Sequence, residues 1–262
     1  IQKSDRFGEK SYEARLASAI RINGNLKIAG TETDKWGIPL NRENVFSRFN
    51  NAGILTQVEK SDVTVDGDVD MTVYGNGVTT NAKDSSVHMA GGGSIQVPAG
   101  MRYSYYALAA YQGAISMNMG DDGTKPGNPK EGKALADVKL DGDLFALPTG
   151  RLDVALMTDK SYLHGLVDNG GTANLYLQNG AKWLNEGRND RYYQDDEDIG
   201  AGTVQKVGGK SVYTAKSHVT NLFGGTSEAA RGILYQKDII TLWKDNLTLT
   251  KNKKNQGFFF DG

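Results

Sequence analysis

The stretch Gly67-Asp-Val-Asp-Met-Thr-Val73 decides how this chain folds: a glycine turn is followed by apolar residues at Val69, Met71 and Val73, separated by polar ones. Successive side chains of a strand point to opposite faces, so alternation with period two describes a strand with one buried face. The same unit recurs as Gly24-Asn-Leu-Lys-Ile28, Gly93-Ser-Ile-Gln-Val97 and Gly113-Ala-Ile-Ser-Met-Asn-Met119. Aligned by inward pairs, the segments run Met71/Val73, Ile95/Val97, Ile115/Met117, Val138/Leu140, Leu152/Val154 and Leu175/Leu177, in steps of 24, 20, 23, 14 and 23 residues. Steps of ~20 to 24 residues are the length of one solenoid coil. The short step from Val138 to Leu152 places one of those strands on a second face of its coil, and Gly142-Asp-Leu-Phe-Ala-Leu147 supplies a further short strand there.

A strand this short buries its apolar face only by hydrogen-bonding to its equivalent one coil away. The predicted fold is therefore all-β: a right-handed parallel β-helix with protruding loops, whose inward ladder includes Ile95, Ile115 and Val138. At a strand spacing of ~4.8 Å, about eight coils would form a rod on the order of 40 Å long. Composition agrees, since a hydrophobic share of 38% and a mean hydropathy of -0.49 suit a thin core with much wetted surface. The 33 Gly serve tight turns, and the absence of Cys excludes disulfides and cysteine-built metal sites. Thirty basic and 31 acidic residues give a net charge of -1, so no overall field favours nucleic acid or an anionic membrane.

The chain reads as one elongated domain, 1–262, in three parts. Residues 1–60 are an N-terminal cap and irregular region, 61–184 are regular coils, and 185–262 hold a loop insertion and C-terminal coils. Tyr12, Leu16 and Ile20 recur every four residues within Glu9 to Ile20, predicting a short capping helix, and Trp36 to Asn51 reads as an irregular insertion. Asp121 to Gly132 and Asn185 to Gly202 read as polar loops. No span approaches the roughly 18 apolar residues of a membrane helix. The opening at Ile1, without a charged-then-apolar leader, is expected of a processed or excised segment.

Three features between Gly150 and Gly187 carry a family likeness: Asp159-Lys-Ser-Tyr162 with Gly165, the alternating strand Ala173-Asn-Leu-Tyr-Leu177, and Asn179-Gly-Ala-Lys-Trp183. This stretch resembles the late passenger coils of monomeric autotransporters of Gram-negative bacteria, of the pertactin-like and AIDA-like type. His218-Val-Thr-Asn-Leu-Phe223 fills the place of the strand that usually follows, at a distance that implies a loop inserted over Asn185 to Ser211. Phe46-Ser-Arg-Phe-Asn-Asn51 and Met71-Thr-Val-Tyr-Gly-Asn-Gly77 resemble large surface autotransporters of anaerobic Negativicutes such as Veillonella. The resemblance implies translocation through a C-terminal β-barrel of the same protein, folding at the cell surface or outer membrane with release as a further outcome, and a role in adhesion or autoaggregation. A chain without Cys suits that route, because no disulfide can trap it in the periplasm.

Candidate binding residues fall in two acidic groups. Alternation places Asp66, Asp68 and Asp70, with Asp62 nearby, on the same outward face, opposite the Val65, Val69 and Met71 positions only if a bulge at Gly67 shifts the register. Asp195, Asp196, Glu197 and Asp198 lie beside Tyr192 and Tyr193, a combination suited to a cation or a basic surface. Carboxylates serve as acids, bases or calcium ligands in enzymes, but a solvated turn is the preferred reading of Asp66, Asp68, Asp70, Asp141 and Asp143. His88, His164 and His218 have no metal-ligand spacing, and Gly91-Gly-Gly93 lacks the Lys-Ser/Thr of a phosphate loop. Tyr103, Tyr105, Tyr106 and Tyr111 read as core stacking before contact surface, and Trp183 as a packing residue closing its coil. No catalytic residue, metal or cofactor is assigned. The expected activity is non-enzymatic adhesion in cell-cell aggregation, biofilm formation or attachment to host or matrix proteins or glycans, with no nucleic-acid partner. The alternatives are a polysaccharide lyase or hydrolase, an inert stalk, and a secreted passenger that signals to host cells.

Overall fold

The structure, a computed structural model, describes residues 18–30, 52–97, 106–120, 123–127, 134–185, 202–207, 210–215, 217–225, 227–235 and 258–260. Apart from a 3-10 turn at Glu228–Ala230, the regular elements among them are strands, gathered in two parallel sheets and one hairpin.

The first sheet runs β1 (Ala19–Ile22), β4 (Asp62–Val65), β6 (Asn76–Met89), β8 (Tyr106–Met117), β10 (Asp143–Leu156), β13 (Thr172–Leu177) and β17 (Asn221–Phe223); β3 (Ala52–Thr56) pairs with β6, and β12 (Val167–Asn169) with β10. The second runs β2 (Leu26–Ala29), β5 (Val69–Thr72), β7 (Gly93–Gln96), β9 (Val138–Asp141), β11 (Tyr162–His164), β14 (Lys182–Leu184), β18 (Gly232–Tyr235) and β19 (Phe258–Phe260). The long strands β6, β8 and β10 change register in mid-course and pair as two segments, the same two that β3 with β4 and β12 with β13 form as separate strands. From β3 to β14 the chain passes in turn through the second sheet and the two halves of the first, an arrangement compatible with a β-solenoid.

The core lies where the alternation placed it. In the second sheet Met71 pairs with Ile95, Ile95 with Leu140, Leu140 with Leu163, and Leu163 with Trp183; all are at most 2% exposed. In the first sheet Val87, Ile115 and Leu152 form an equivalent buried ladder. The expected single ladder of Ile95, Ile115 and Val138 is therefore corrected, since Ile95 and Ile115 lie in different sheets and Val138 pairs with Gly93. The reason is geometric: every side of a coil carries the same alternation, so a step of 20 residues from Ile95 to Ile115 leads to the next side of the structure. Hydrogen bonds between stacked strands give the true spacing, 24 residues from Asp70 to Ser94 and 23 from Asp143 to Leu166. It lengthens to 43 from Asn25 to Asp68, 37 from Asn118 to Ala155 and 47 from Asn174 to Asn221.

Two further expectations change. Pairing begins before residue 61, with β1, β2 and β3, and Ile20 lies in a strand, 57% exposed, where the capping helix was expected to end. The remainder of that helix before residue 18 and the insertion Trp36 to Asn51 lie outside the described residues. An antiparallel hairpin, β15 (Gly202–Val207) with β16 (Lys210–Ala215), overlaps the end of the predicted loop over Asn185 to Ser211 and extends past it.

Close stacking restricts side chains at the corners. A Cβ on Gly150 would stand 1.9 Å from the Ala110 carbonyl oxygen, whereas one on Gly24 would meet nothing within 4 Å. Gly150→Ala should thus force two strands apart and lower the thermal midpoint by several degrees, while Gly24→Ala should leave it unchanged; parallel melts of both variants check this.

Candidate functional site

Asp66, Asp68 and Asp70 come together at the corner between β4 and β5. Val65, Val69 and Met71 are all buried and share one parity while the aspartates hold the other, so the outward face needs no register shift at Gly67; the chain only bends over residues 66–67. Glycine is required at its centre, because a Cβ on Gly67 would come within 2.3 Å of Asn25 Oδ1. Each carboxylate then binds a neighbouring coil. Asp66 accepts from Arg21 Nε at 3.2 Å and from Nη2 at 3.0 and 3.1 Å. Asp68 Oδ1 accepts the Gly92 N–H at 3.0 Å, and its own N–H donates to Asn25 Oδ1 at 3.0 Å. Asp70 Oδ1 accepts both the Ser94 N–H, at 3.0 Å, and its hydroxyl, at 2.8 Å. These bonds tie successive turns together, so the acidic residues have a structural use that composition does not reveal.

They also line a groove of about 760 Å³ that crosses the strands of the second sheet. Leu135, Ala136 and Asp137 contribute to its lining before β9, and Lys139 and Lys160 carry it on toward the later strands. Asp137 Oδ1 accepts the Thr158 hydroxyl at 2.7 Å. The lining thus offers hydrogen-bond acceptors and cationic donors side by side.

The other candidates among the described residues do not line this groove. Tyr192, Tyr193, Asp195, Asp196, Glu197 and Asp198 lie outside the described residues, as do Tyr103 and Tyr105. Tyr106 is buried and stacks on Phe145, with ring centroids 4.7 Å apart, and Tyr111 meets the same ring at 5.3 Å. Trp183 is fully buried and its Nε1–H donates to the Gly165 carbonyl oxygen at 2.9 Å. Asp143 is likewise buried and accepts the Leu166 N–H at 2.7 Å. His88 Nδ1 lies 2.6 Å from Ser116 Oγ, and His164 Nδ1 lies 3.3 Å from Asp141 Oδ1. Among the described residues no three His, Asp or Glu gather as a metal site.

One polar row escaped the sequence reading. On the outer side of the first sheet, Arg151 Nε and Nη2 donate to Asp153 at 2.6 and 3.0 Å, Asn174 Nδ2 donates to Asp153 Oδ1 at 2.7 Å, and Asn221 Nδ2 donates to Asn174 Oδ1 at 2.8 Å. Beside it, Tyr176 stacks on Phe223 at 4.4 Å. Burial pushes the Tyr176 hydroxyl above its ordinary pKa and the Asp153 carboxylate adds to the effect, while Arg151 opposes it. The hydrogen bond to Asp153 raises the Arg151 guanidinium above its ordinary value. The signal was present in the alternation, because residues 151 and 153, and 174 and 176, have outward parity.

Comparison with protein-family models, with curated proteins and with solved structures finds no match to this chain.

Proposed function

We propose that the chain is the surface-exposed passenger segment of a bacterial autotransporter, a right-handed parallel β-helix acting as a non-catalytic adhesin in cell-cell aggregation, biofilm formation or host-surface attachment. The observation that carries this reading is the outward row Lys27, Asp70, Ser94, Lys139, Tyr162 and Lys182, one residue from each successive strand of the second sheet. A repeating polar strip of this kind presents many weak contacts at fixed spacing, which is how extended surfaces reach useful avidity. Its partners would be other bacterial cells, or host and matrix proteins or glycans. The lyase or hydrolase reading draws on the groove, where Asp68 and Asp70 lie in the same lining as Lys139. Against it, each carboxylate gives one oxygen to the next coil, through Gly92 and Ser94, a structural use that accounts for both residues without chemistry.

Displaying the chain on non-aggregating cells separates the readings. Aggregation or surface attachment should appear and should decline in steps as Lys27, Asp70, Lys139 and Lys182 are replaced, with no turnover of plant, host or biofilm polysaccharides. Turnover abolished by a single Asp substitution would overturn the non-catalytic reading.

A further inference from the structure

The geometry points to the groove along the second sheet as a binding site for a linear, uncharged polysaccharide. This inference rests on the adhesive reading above and names its ligand. Its lining draws on β2, β5, β7 and β9 or the corners beside them, and on Lys160 just before β11. Four strand spacings of ~4.8 Å make a groove roughly 19 Å long. A linear chain of about four sugars, each spanning roughly one strand spacing, matches that length. The volume of about 760 Å³ lies in the range of ligand sites.

Charge selects the ligand class. Asp66 is neutralised by Arg21, and Asp137 is engaged by Thr158. That leaves three carboxylates, Asp68, Asp70 and the hydrogen-bonded Asp137, against two ammonium groups, Lys139 and Lys160, in the same lining. Asp68 and Asp70 each use Oδ1 for the neighbouring coil, and Oδ2 accepts no bond from a described residue. An anionic polymer would meet the carboxylates and a polycation the two lysines, so like charges disfavour both. A sugar hydroxyl is donor and acceptor at once, and this lining supplies both kinds of partner: Asp Oδ2 and Gln96 to accept, Lys139 and Lys160 to donate. Ser94 does not add to the donors, since its hydroxyl is committed to Asp70. Leu135, Ala136 and Ala90 give the lining apolar surface against which the ring carbons can rest.

Titration calorimetry of the intact chain tests this with cello-, chito- and manno-oligosaccharides of two to six sugars, and with oligogalacturonate and heparin fragments as acidic comparators. At least one neutral series should bind, with affinity rising up to about four sugars and level beyond. Asp70→Ala and Lys139→Ala should each weaken binding about tenfold while melting within a few degrees of the parent. Asp70→Asn, which keeps an acceptor for Ser94, should lose less than Asp70→Ala. Absence of binding by all three neutral series, tighter binding of an acidic fragment, or affinity independent of length would overturn the inference. Displayed cells that adhere although the chain binds no neutral oligosaccharide would sink this inference alone. A chain that binds them although displayed cells neither aggregate nor attach would sink the adhesive reading alone.

Discussion

Replacing Leu177 by Asp should unfold the late coils or lower their thermal midpoint by about 8 °C or more. Leu177 is fully buried in β13 and pairs with Leu156 of β10, itself fully buried. Losing a buried leucine costs about 2–5 kcal/mol by transfer and cavity terms alone. A carboxylate at that position would have no partner, so it either remains charged at a further cost or takes up a proton. One kcal/mol moves the midpoint of a chain of this size by roughly 2–4 °C. The deficit should shrink as pH falls. The carboxyl pKa in the folded variant would be raised above its unfolded value, so the penalty is complete above the folded pKa and is relieved on acidification toward the unfolded one. Circular dichroism melts at neutral and acid pH measure both effects, with Lys182→Asp at an exposed neighbouring position as the control. A Leu177→Asp chain that melts within about a degree of the parent would mean that β13 has the opposite register.

Strands were legible in the sequence because alternation is a local signal: Val69 and Met71, Leu175 and Leu177 are buried as their parity requires. Which sheet a strand joins was not, because Ile95 and Ile115 carry the same signal on different sides of the structure and only the lengths between them could separate the two. Those lengths vary from 20 residues, between Leu163 and Trp183, to 51, between Trp183 and Leu234. The hairpin β15 and β16 did leave a signal, two short segments with the β-branched and aromatic residues Thr203, Val204, Val207, Val212, Tyr213 and Thr214 on either side of Gly208-Gly209, which favours a tight hairpin turn. It was masked by the charged run before it.

The candidate site was legible in residue type but not in geometry. Three aspartates in alternation could be seen, yet their partners Arg21, Asn25, Gly92 and Ser94 come from the coils before and after, which no local pattern identifies. The groove depends further on the segment around Leu135 to Asp137, which lies far along the chain from Asp68 and is brought beside it only by the stacking of β5, β7 and β9.

Trp183→Ala should be the most damaging truncation in the core, because it removes two kinds of support at once. The indole sits between Leu163 and Leu234 in the second sheet and is fully buried, so among the described residues its loss leaves the largest cavity a single side chain can leave. Such a truncation costs about 3–5 kcal/mol. Its Nε1–H also reaches across to the carbonyl of Gly165, a buried residue at the corner before β12, and so fastens one side of the coil to the next. Without that donor a buried acceptor loses its partner, at roughly 1–3 kcal/mol. Trp183→Phe separates the two contributions: it keeps most of the apolar volume and removes the donor, so it should fall between parent and Trp183→Ala. In a stacked structure each coil leans mainly on its neighbours, so the loss should be concentrated near β11, β14 and β18. Hydrogen exchange should accordingly show amides of β11 and β14 losing protection first, while those of β5 and β7 keep theirs. Uniform loss of protection along both sheets would show instead that the coils unfold as one cooperative unit.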